Sequence, residues 1–116
     1  MAMGWLTTHV LDTAQGVPAA GVRVMLYRVS GNSPKKLGAF VTNADGRVEG
    51  PLLDGKGFSA GFYELVFCAG DYLRGQGLSG DFLDEIPVRF AVADAEAHYH
   101  VPLLLSPFGY STYRGS

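Results

Sequence analysis

The amino-acid sequence predicts an all-β domain, a sandwich of two sheets built from seven or eight short strands. Glycine (16 residues) and proline (6 residues) interrupt the 116-residue chain at short intervals. Between them lie segments of about 5–9 residues rich in Val, Leu, Phe, Tyr and Thr, which is typical of strands in a sandwich or barrel. The length suits one hydrophobic core, so we expect a single domain over residues 1–116.

The predicted strands show the two-residue period of a sheet with one buried face. Their ranges along the chain are 6–12, 22–29, 37–42, 47–49, 61–69, 86–92, 98–105 and 110–113. The alternation is clearest in the second and fifth ranges, whose apolar faces are Val22, Val24 and Leu26, and Tyr63, Leu65 and Phe67. These faces are the predicted core of the sandwich.

Turn residues separate the strands. The segment Asn-Ala-Asp-Gly at 43–46 is a tight-turn sequence, because Gly permits positive φ and Asn and Asp hydrogen-bond to nearby backbone. Gly-Asn-Ser-Pro at 31–34 has the same character. The longer Gly-rich stretch 71–84 is predicted to hold one short helix or a functional loop.

Composition and charge exclude several classes of protein. The net charge is −2 and the basic residues are scattered, which gives no electrostatic argument for binding nucleic acid or an anionic membrane. No apolar run approaches the roughly 18 residues of a membrane span. The opening MAMGWLTTHVLD lacks the basic and apolar regions of a secretory signal. We therefore expect a cytoplasmic protein, or a periplasmic one if a leader has been removed.

The motifs of most enzyme classes are missing as well. The chain has no nucleophile elbow, phosphate-binding loop, H-E-x-x-H or CxxC sequence. Its one cysteine, Cys68, lies in the apolar run FYELVFCAG away from any predicted helix start, so we interpret it as a small buried hydrophobe. Any catalysis is expected to use no metal and no cofactor, and to depend on His and Arg.

The candidate functional residues are three histidines, an arginine and the chain end. His98 and His100 have the same parity on one predicted strand, so both rings leave one side of it, while His9 lies on the first strand. Such a pair also suits metal chelation, but the further ligands that a zinc site needs are not evident. Arg47 follows the 43–46 turn. Residues 113–116 follow a strand directly, and would place a phenol, a guanidinium, a hydroxyl and a carboxylate close together.

Four blocks of sequence carry a resemblance to a known family. The chain resembles the transthyretin-like 5-hydroxyisourate hydrolases over nearly its whole length. The opening block is LTTHVLDTAQGVPAAGVRVMLYR, the middle blocks are TNADGRVEGPLL and YELVFCAGDY, and the last is HYHVPLLLSPFGYSTYRGS. The two ends are the specific part, since the middle also fits regulatory sandwiches without activity.

The resemblance implies which residues form the site. It implies that His9, Arg47 and His100 are catalytic, and it gives His98 no chemical role. Which of His9 and His100 is the general base stays open. The residues it implies for completing the site are Tyr113, Arg114, Gly115 and Ser116.

The resemblance also implies a reaction and an assembly. Water would open the ring of 5-hydroxyisourate to give 2-oxo-4-hydroxy-4-carboxy-5-ureidoimidazoline, with no covalent intermediate. The family fold is a two-sheet sandwich, and its members form homotetramers, dimers of dimers, with sites at the central interface. Two alternatives without catalysis are a transthyretin-like carrier of a small ligand and an interaction sandwich within a larger protein.

Overall fold

Two mostly antiparallel sheets pack face to face in the computed structural model, which describes residues 3–116. The first sheet has the strand order β2-β1-β8-β9, with β5 also paired to β1, and the second has the order β4-β3-β6-β7. One helix, α1, lies between β6 and β7. The elements are β1 (Trp5–Asp12), β2 (Val17–Pro18), β3 (Arg23–Ser30), β4 (Ser33–Val41), β5 (Leu53–Asp54), a 3₁₀ turn (Gly55–Gly57), β6 (Gly61–Cys68), α1 (Ala69–Gly75), β7 (Glu85–Val92), β8 (His98–Ser106) and β9 (Gly109–Thr112). The predicted all-β sandwich is confirmed.

The core lies between the sheets and is built from one face of each long strand. The apolar residues predicted from the alternation in 22–29 and 61–69 are all buried. On the first sheet, Leu6 and Val10 of β1 and Leu103 and Leu105 of β8 are fully buried. Burying one such side chain contributes about 1.5–3 kcal/mol, so this face holds the sheet in place. The residues between them in sequence point to the outer face of the first sheet.

The pairing of β1 with β8 is parallel, although the two strands come from opposite ends of the chain. Its register places Thr7 opposite His100 and His9 opposite Pro102. Parallel neighbours need a long connection, and here the whole second sheet supplies it. The histidine-bearing strands of the two chain ends therefore lie side by side in the sheet.

Three sequence predictions need correction. Residues 47–49 form no strand, because only Arg47 makes an isolated bridge, to His9, before the chain turns away. Strand β4 begins at Ser33, earlier than predicted, since Pro34 is tolerated on an edge strand that needs no N–H there. The two-residue strands β2 and β5 were not predicted.

The helix also begins earlier than the predicted stretch 71–84. Cys68 is the residue immediately before α1, which corrects the expectation that no helix starts there. The prediction that its side chain is buried is confirmed. Burial raises the pKa of the Cys68 thiol, and the nearby Glu85 carboxylate adds to the effect, so the thiol form is favoured. Within residues 3–116 no helix is both long and apolar enough to cross a membrane.

A buried carboxylate ties the end of β1 to α1. Asp12 is 1% exposed and accepts hydrogen bonds from the Tyr72 hydroxyl at 2.7 Å and from the Gln15 side-chain and backbone N–H groups at 2.7 and 2.9 Å. Burial alone would raise the pKa of Asp12, but these hydrogen bonds outweigh it and lower the pKa. The ionised form is therefore the one that the fold stabilises.

Tyr72→Phe removes one of these bonds and should lower the free energy of unfolding by about 2 kcal/mol at pH 7, as expected for a bond to a charged group. The lowered Asp12 pKa gives stability that is present above the ordinary carboxyl value and is lost as the pH falls through the folded-state pKa. The deficit of the variant should accordingly shrink in acid. Urea unfolding at several pH values tests this, with Tyr27→Phe on the second sheet as control. A deficit that is the same at pH 7 and in acid would contradict the account.

Candidate functional site

The outer face of the first sheet carries the three histidines singled out in the sequence, together with a threonine. On β1 these are Thr7 and His9, and on β8 they are His98 and His100, all half-buried and alternating with buried residues of the same strand. Alternation sends every second side chain outward, and the β1–β8 register brings Thr7 level with His100. Four polar side chains thus meet on one small patch of sheet.

A threonine hydroxyl connects two of the histidines. Thr7 Oγ1 lies 2.7 Å from His98 Nε2 and 2.8 Å from His100 Nδ1. The His98 ring also stacks on Trp5, with the centroids 4.4 Å apart and the planes 10° from parallel. Both rings are therefore held in orientation by protein groups before any ligand arrives.

The turn at 43–46 positions His9 and Arg47. His9 Nε2 lies 2.9 Å from the Asp45 carbonyl oxygen, and because a carbonyl only accepts, Nε2 carries the proton and Nδ1 keeps the lone pair of the neutral ring. Gly46 has φ of 75°, and a Cβ there would collide with the Val10 carbonyl oxygen. Only glycine fits this close approach, which fixes the point where Arg47 leaves the turn.

The last residues of the chain return to β8. The Gly115 N–H donates to the His100 carbonyl oxygen at 2.7 Å. A Cβ on Gly115 would lie 2.5 Å from His100 Cδ2, so the glycine packs directly against the imidazole. Ser116 follows at the edge of the same patch. The tail is thus held by the strand that carries the histidines.

These groups surround an open cleft of about 250 Å³. Its hydroxyl, imidazole and guanidinium groups suit a small molecule with hydrogen-bonding edges. Among residues 3–116, no group of three or more His, Cys, Asp or Glu side chains is arranged to hold a metal ion. The lining residues are Thr7, Thr8, Arg47, Val48, His98, His100 and Ser116.

The electrostatics of the cleft keep His100 neutral. Burial lowers the pKa of His100, and electrostatic repulsion from the Arg47 guanidinium, together with the neighbouring His98 and His9 rings, lowers it further. An unprotonated imidazole at neutral pH can accept a proton from a bound water. The nearby guanidinium keeps its charge, since arginine is not deprotonated in proteins.

The predicted site residues fall into two groups. Arg47, His100 and Ser116 line the cleft, with His9 bridged to Arg47 on the same sheet face and Gly115 packed against His100. By contrast, Tyr113 and Arg114 line a separate cleft of about 190 Å³ beside β7.

Arg114 is held in that second cleft. Its guanidinium stacks on the ring of Tyr99 at 4.1 Å and donates a long bond of 3.4 Å to the His98 carbonyl oxygen. The phenol and guanidinium of the tail therefore lie apart from the His100 cleft in a single chain, whereas the sequence predicts that they lie close to the Ser116 hydroxyl and carboxylate.

Sequence reasoning missed the contribution of Thr7 and gave His98 no role. The signal for Thr7 was its parity with His9 on one predicted strand, and that for His98 was its parity with His100. What the sequence lacks is the parallel register that places Thr7 against both rings.

The chain was compared with protein families and with proteins of known function. The model described as "HIUase/Transthyretin family" matches residues 6–115. The chain is 59% identical to 5-hydroxyisourate hydrolase 2 of Rhizobium meliloti strain 1021, over 97% of both chains. It is 61% identical to 5-hydroxyisourate hydrolase of Mesorhizobium japonicum, over 97% of this chain and 93% of the relative.

Solved structures give the same fold. The structure of Klebsiella pneumoniae 5-hydroxyisourate hydrolase matches with a TM-score of 0.81 and 38% identity, covering 97% of this chain and 99% of that one. Sea bream transthyretin in complex with thyroxine matches with a TM-score of 0.87 and 29% identity, over 95% and 93% of the two chains. The structure of an (S)-allantoin synthase matches with a TM-score of 0.93 and 51% identity, covering 99% of this chain. This chain spans only 44% of that longer one.

The pKa of His100 should lie below the ordinary histidine value of 6.5, measured from the pH dependence of its ring resonances by NMR. Arg47→Gln removes one of the positive charges that oppose protonation, so the His100 pKa should rise in this variant. Arg23→Gln, which removes an exposed arginine from the second sheet, is the matched control and should leave the value unchanged. A His100 pKa that is unmoved or lower in Arg47→Gln would contradict this electrostatic account.

Proposed function

The chain belongs to the HIUase/transthyretin family, and from that membership we propose how its outer-face cleft works as a 5-hydroxyisourate hydrolase. The enzyme opens the ring of 5-hydroxyisourate with water to give 2-oxo-4-hydroxy-4-carboxy-5-ureidoimidazoline, a step of urate breakdown. The observation that carries the assignment of the site is the meeting of Arg47, His100 and Ser116 in one cleft, beside His9.

Water is activated by the imidazole pair. Hydrolysis requires that a water lose a proton as it attacks the carbonyl carbon. The lowered pKa keeps His100 unprotonated and able to accept that proton at neutral pH. His9 is oriented by its bond to the Asp45 carbonyl, so its Nδ1 offers a second basic nitrogen on the same face.

Arg47 stabilises the charge that develops on the attacked carbonyl oxygen. Arg47 lines the cleft with His100, and its guanidinium carries a permanent positive charge. A cation of this kind interacts more strongly with the transition state than with the neutral substrate, which is the condition for catalysis. The tail supplies orientation: Ser116 adds a hydroxyl at the cleft edge, where it can bind a polar edge of a planar ring.

A carrier of small apolar ligands is not supported by this cleft. Although transthyretin with bound thyroxine shares the fold, a fold alone does not decide function. Here the cleft contains an arginine and two imidazoles, one of them with a lowered pKa. Titratable groups gathered in this way suit catalysis better than apolar binding.

We further propose that the chain assembles as a homotetramer, a dimer of dimers, through the outer face of the first sheet. This face also carries apolar residues: Leu11 and Leu104 are half-buried neighbours in the sheet, and Trp5 is 40% exposed. Covering such a surface with a second copy removes apolar area from water. Tyr113 and Arg114 lie away from the His100 cleft of their own chain. The proposed assembly would bring residues of another chain to each cleft.

Sedimentation velocity should give a mass about four times the 12.4 kDa of one chain. Leu104→Asp places a charge in the middle of the proposed interface and should lower this mass. Phe62→Asp is the matched control, because Phe62 is exposed on β6 of the second sheet and should leave the mass unchanged. A monomeric wild type, or equal masses for both variants, would contradict the proposed interface.

The activity is tested by the ultraviolet absorbance of freshly generated 5-hydroxyisourate, corrected for its spontaneous decay. The wild type should accelerate the decay at catalytic concentration. Replacing His9, Arg47 or His100 with alanine should each lower the rate more than about tenfold, equivalent to about 1.4 kcal/mol in the barrier. Arg23→Ala is the control and should keep the wild-type rate.

This assay tests the proposed reaction and the proposed site residues separately. No acceleration by folded wild-type protein would remove the proposed reaction. An active wild type with all three alanine variants within tenfold of it would instead show that the chemistry takes place elsewhere on the chain.

A further inference from the structure

The hydroxyl of Thr7 faces two imidazole nitrogens but has only one proton to donate. The distances, 2.7 Å to His98 Nε2 and 2.8 Å to His100 Nδ1, are both those of full hydrogen bonds. When one ring accepts the hydroxyl proton, the other must donate its own N–H to the hydroxyl oxygen. The protonation forms of His98 and His100 are therefore coupled through Thr7.

The surroundings of His100 decide which of its nitrogens meets a ligand. Its Nδ1 is bonded to Thr7, and its Cδ2 edge lies against Gly115. Nε2 is the remaining ring nitrogen, and the ring lines the cleft. If His100 is to take a proton from water at Nε2, its neutral form must carry the hydrogen on Nδ1 and donate it to Thr7. The Thr7 proton then has one acceptor left, His98 Nε2.

We propose that Thr7 and His98 are positioning residues that hold His100 in the tautomer of a general base, with hydrogen bonds running from His100 Nδ1 to Thr7 and from Thr7 to His98 Nε2. The inference rests on the proposed hydrolase function and deepens it. His98 is the end of the chain of bonds, and its stacking on Trp5 fixes the ring plane that presents Nε2 to Thr7.

The proposed arrangement balances protons through the reaction. His100 Nε2 takes one proton from the water as the water oxygen bonds to the carbonyl carbon. The resulting imidazolium keeps its Nδ1–H on Thr7. It returns the Nε2 proton to the leaving ring nitrogen as the C–N bond breaks. Thr7 and His98 keep their own protons throughout. Thr7 accepts the Nδ1–H bond that strengthens when His100 becomes charged, and His98 Nε2 accepts the Thr7 hydroxyl proton.

Protonation of His98 would reverse the donor–acceptor direction of both hydrogen bonds at Thr7. A charged His98 ring donates from Nε2, so the Thr7 proton must turn to His100 Nδ1, and Nε2 of a neutral His100 then carries the hydrogen. That form cannot accept a proton from water. The other ionisable side chains near His100 are Arg47 and His9. His98 is thus the group whose protonation changes the His100 tautomer through a hydrogen bond as well as through charge.

The matched variants are Thr7→Val, which keeps the shape and removes the hydroxyl, and Thr7→Ser, which keeps the hydroxyl. For Thr7→Val we expect kcat for 5-hydroxyisourate to fall at least about tenfold, the lower part of the range for acid–base assistance, with little change in KM. Thr7→Ser should restore most of kcat. Thr13→Val removes a hydroxyl just beyond the end of β1, where it donates to the Leu105 carbonyl oxygen, and should have the wild-type rate.

A second readout follows the tautomer itself. The ¹⁵N shifts of the His100 ring should show a protonated Nδ1 and a bare Nε2 in the wild type, and a shift towards Nε2–H in Thr7→Val. Thermal unfolding and sedimentation of each variant show that fold and assembly are kept. An active wild type whose Thr7→Val variant equals Thr7→Ser in kcat and in ring shifts would overturn the proposal. An inactive wild type would instead overturn the proposed function.

Variants of His98 test the hydrogen bond from the Thr7 hydroxyl to His98 Nε2. His98→Phe keeps an aromatic ring on Trp5 but has no acceptor, and should lower kcat about as much as Thr7→Val. His98→Gln offers an amide oxygen to Thr7 and cannot become charged. It should retain more activity than His98→Phe, with a shallower loss of kcat in acid than the wild type. Equal kcat values for wild type and His98→Phe would also overturn the proposal.

Discussion

The parallel pairing of β1 with β8 is the constraint on which the site depends. It sets Thr7 beside His100 and His9 beside Pro102, and so puts side chains from the two ends of the sequence within hydrogen-bonding distance. A slip of one residue would send the histidines into the core and the core leucines outward. The fully buried Leu6 and Leu103 of these strands oppose such a slip. The same burial that stabilises the sandwich therefore fixes the geometry of the cleft.

Around the paired strands β1 and β8, backbone geometry holds Arg47 and the tail in place. The turn at 43–46 positions Arg47 because Gly46 fits against the Val10 carbonyl, and the tail is held because Gly115 fits against the His100 ring. Glycine is required at both points by close approach rather than by flexibility alone. At the far end of β1, the buried Asp12 anchors the strand to α1. The acid–base groups thus lie on paired strands of the sheet rather than on loops.

Much of this could be predicted from the sequence, because alternation reports directly on which face of a strand is buried. Parity put His98 and His100 on one side of their strand and His9 on the side of Thr7 in its own, and turn chemistry located the segment before Arg47. Parity says nothing of which strands are neighbours, so the sequence could not give the contacts of Thr7 or a role for His98. Resemblance supplied the reaction. The cytoplasmic location and the single-domain organisation stay predictions.

The central claim is that the substrate is recognised on the outer face of the first sheet, and it is tested most directly by locating where a purine binds. Urate, titrated into isotope-labelled protein, should perturb the amide and ring resonances of Thr7, Arg47, His98 and His100 on the outer face of the first sheet. That result would place recognition where β1 and β8 meet. Perturbations confined to the second cleft, beside Tyr99, would contradict the account.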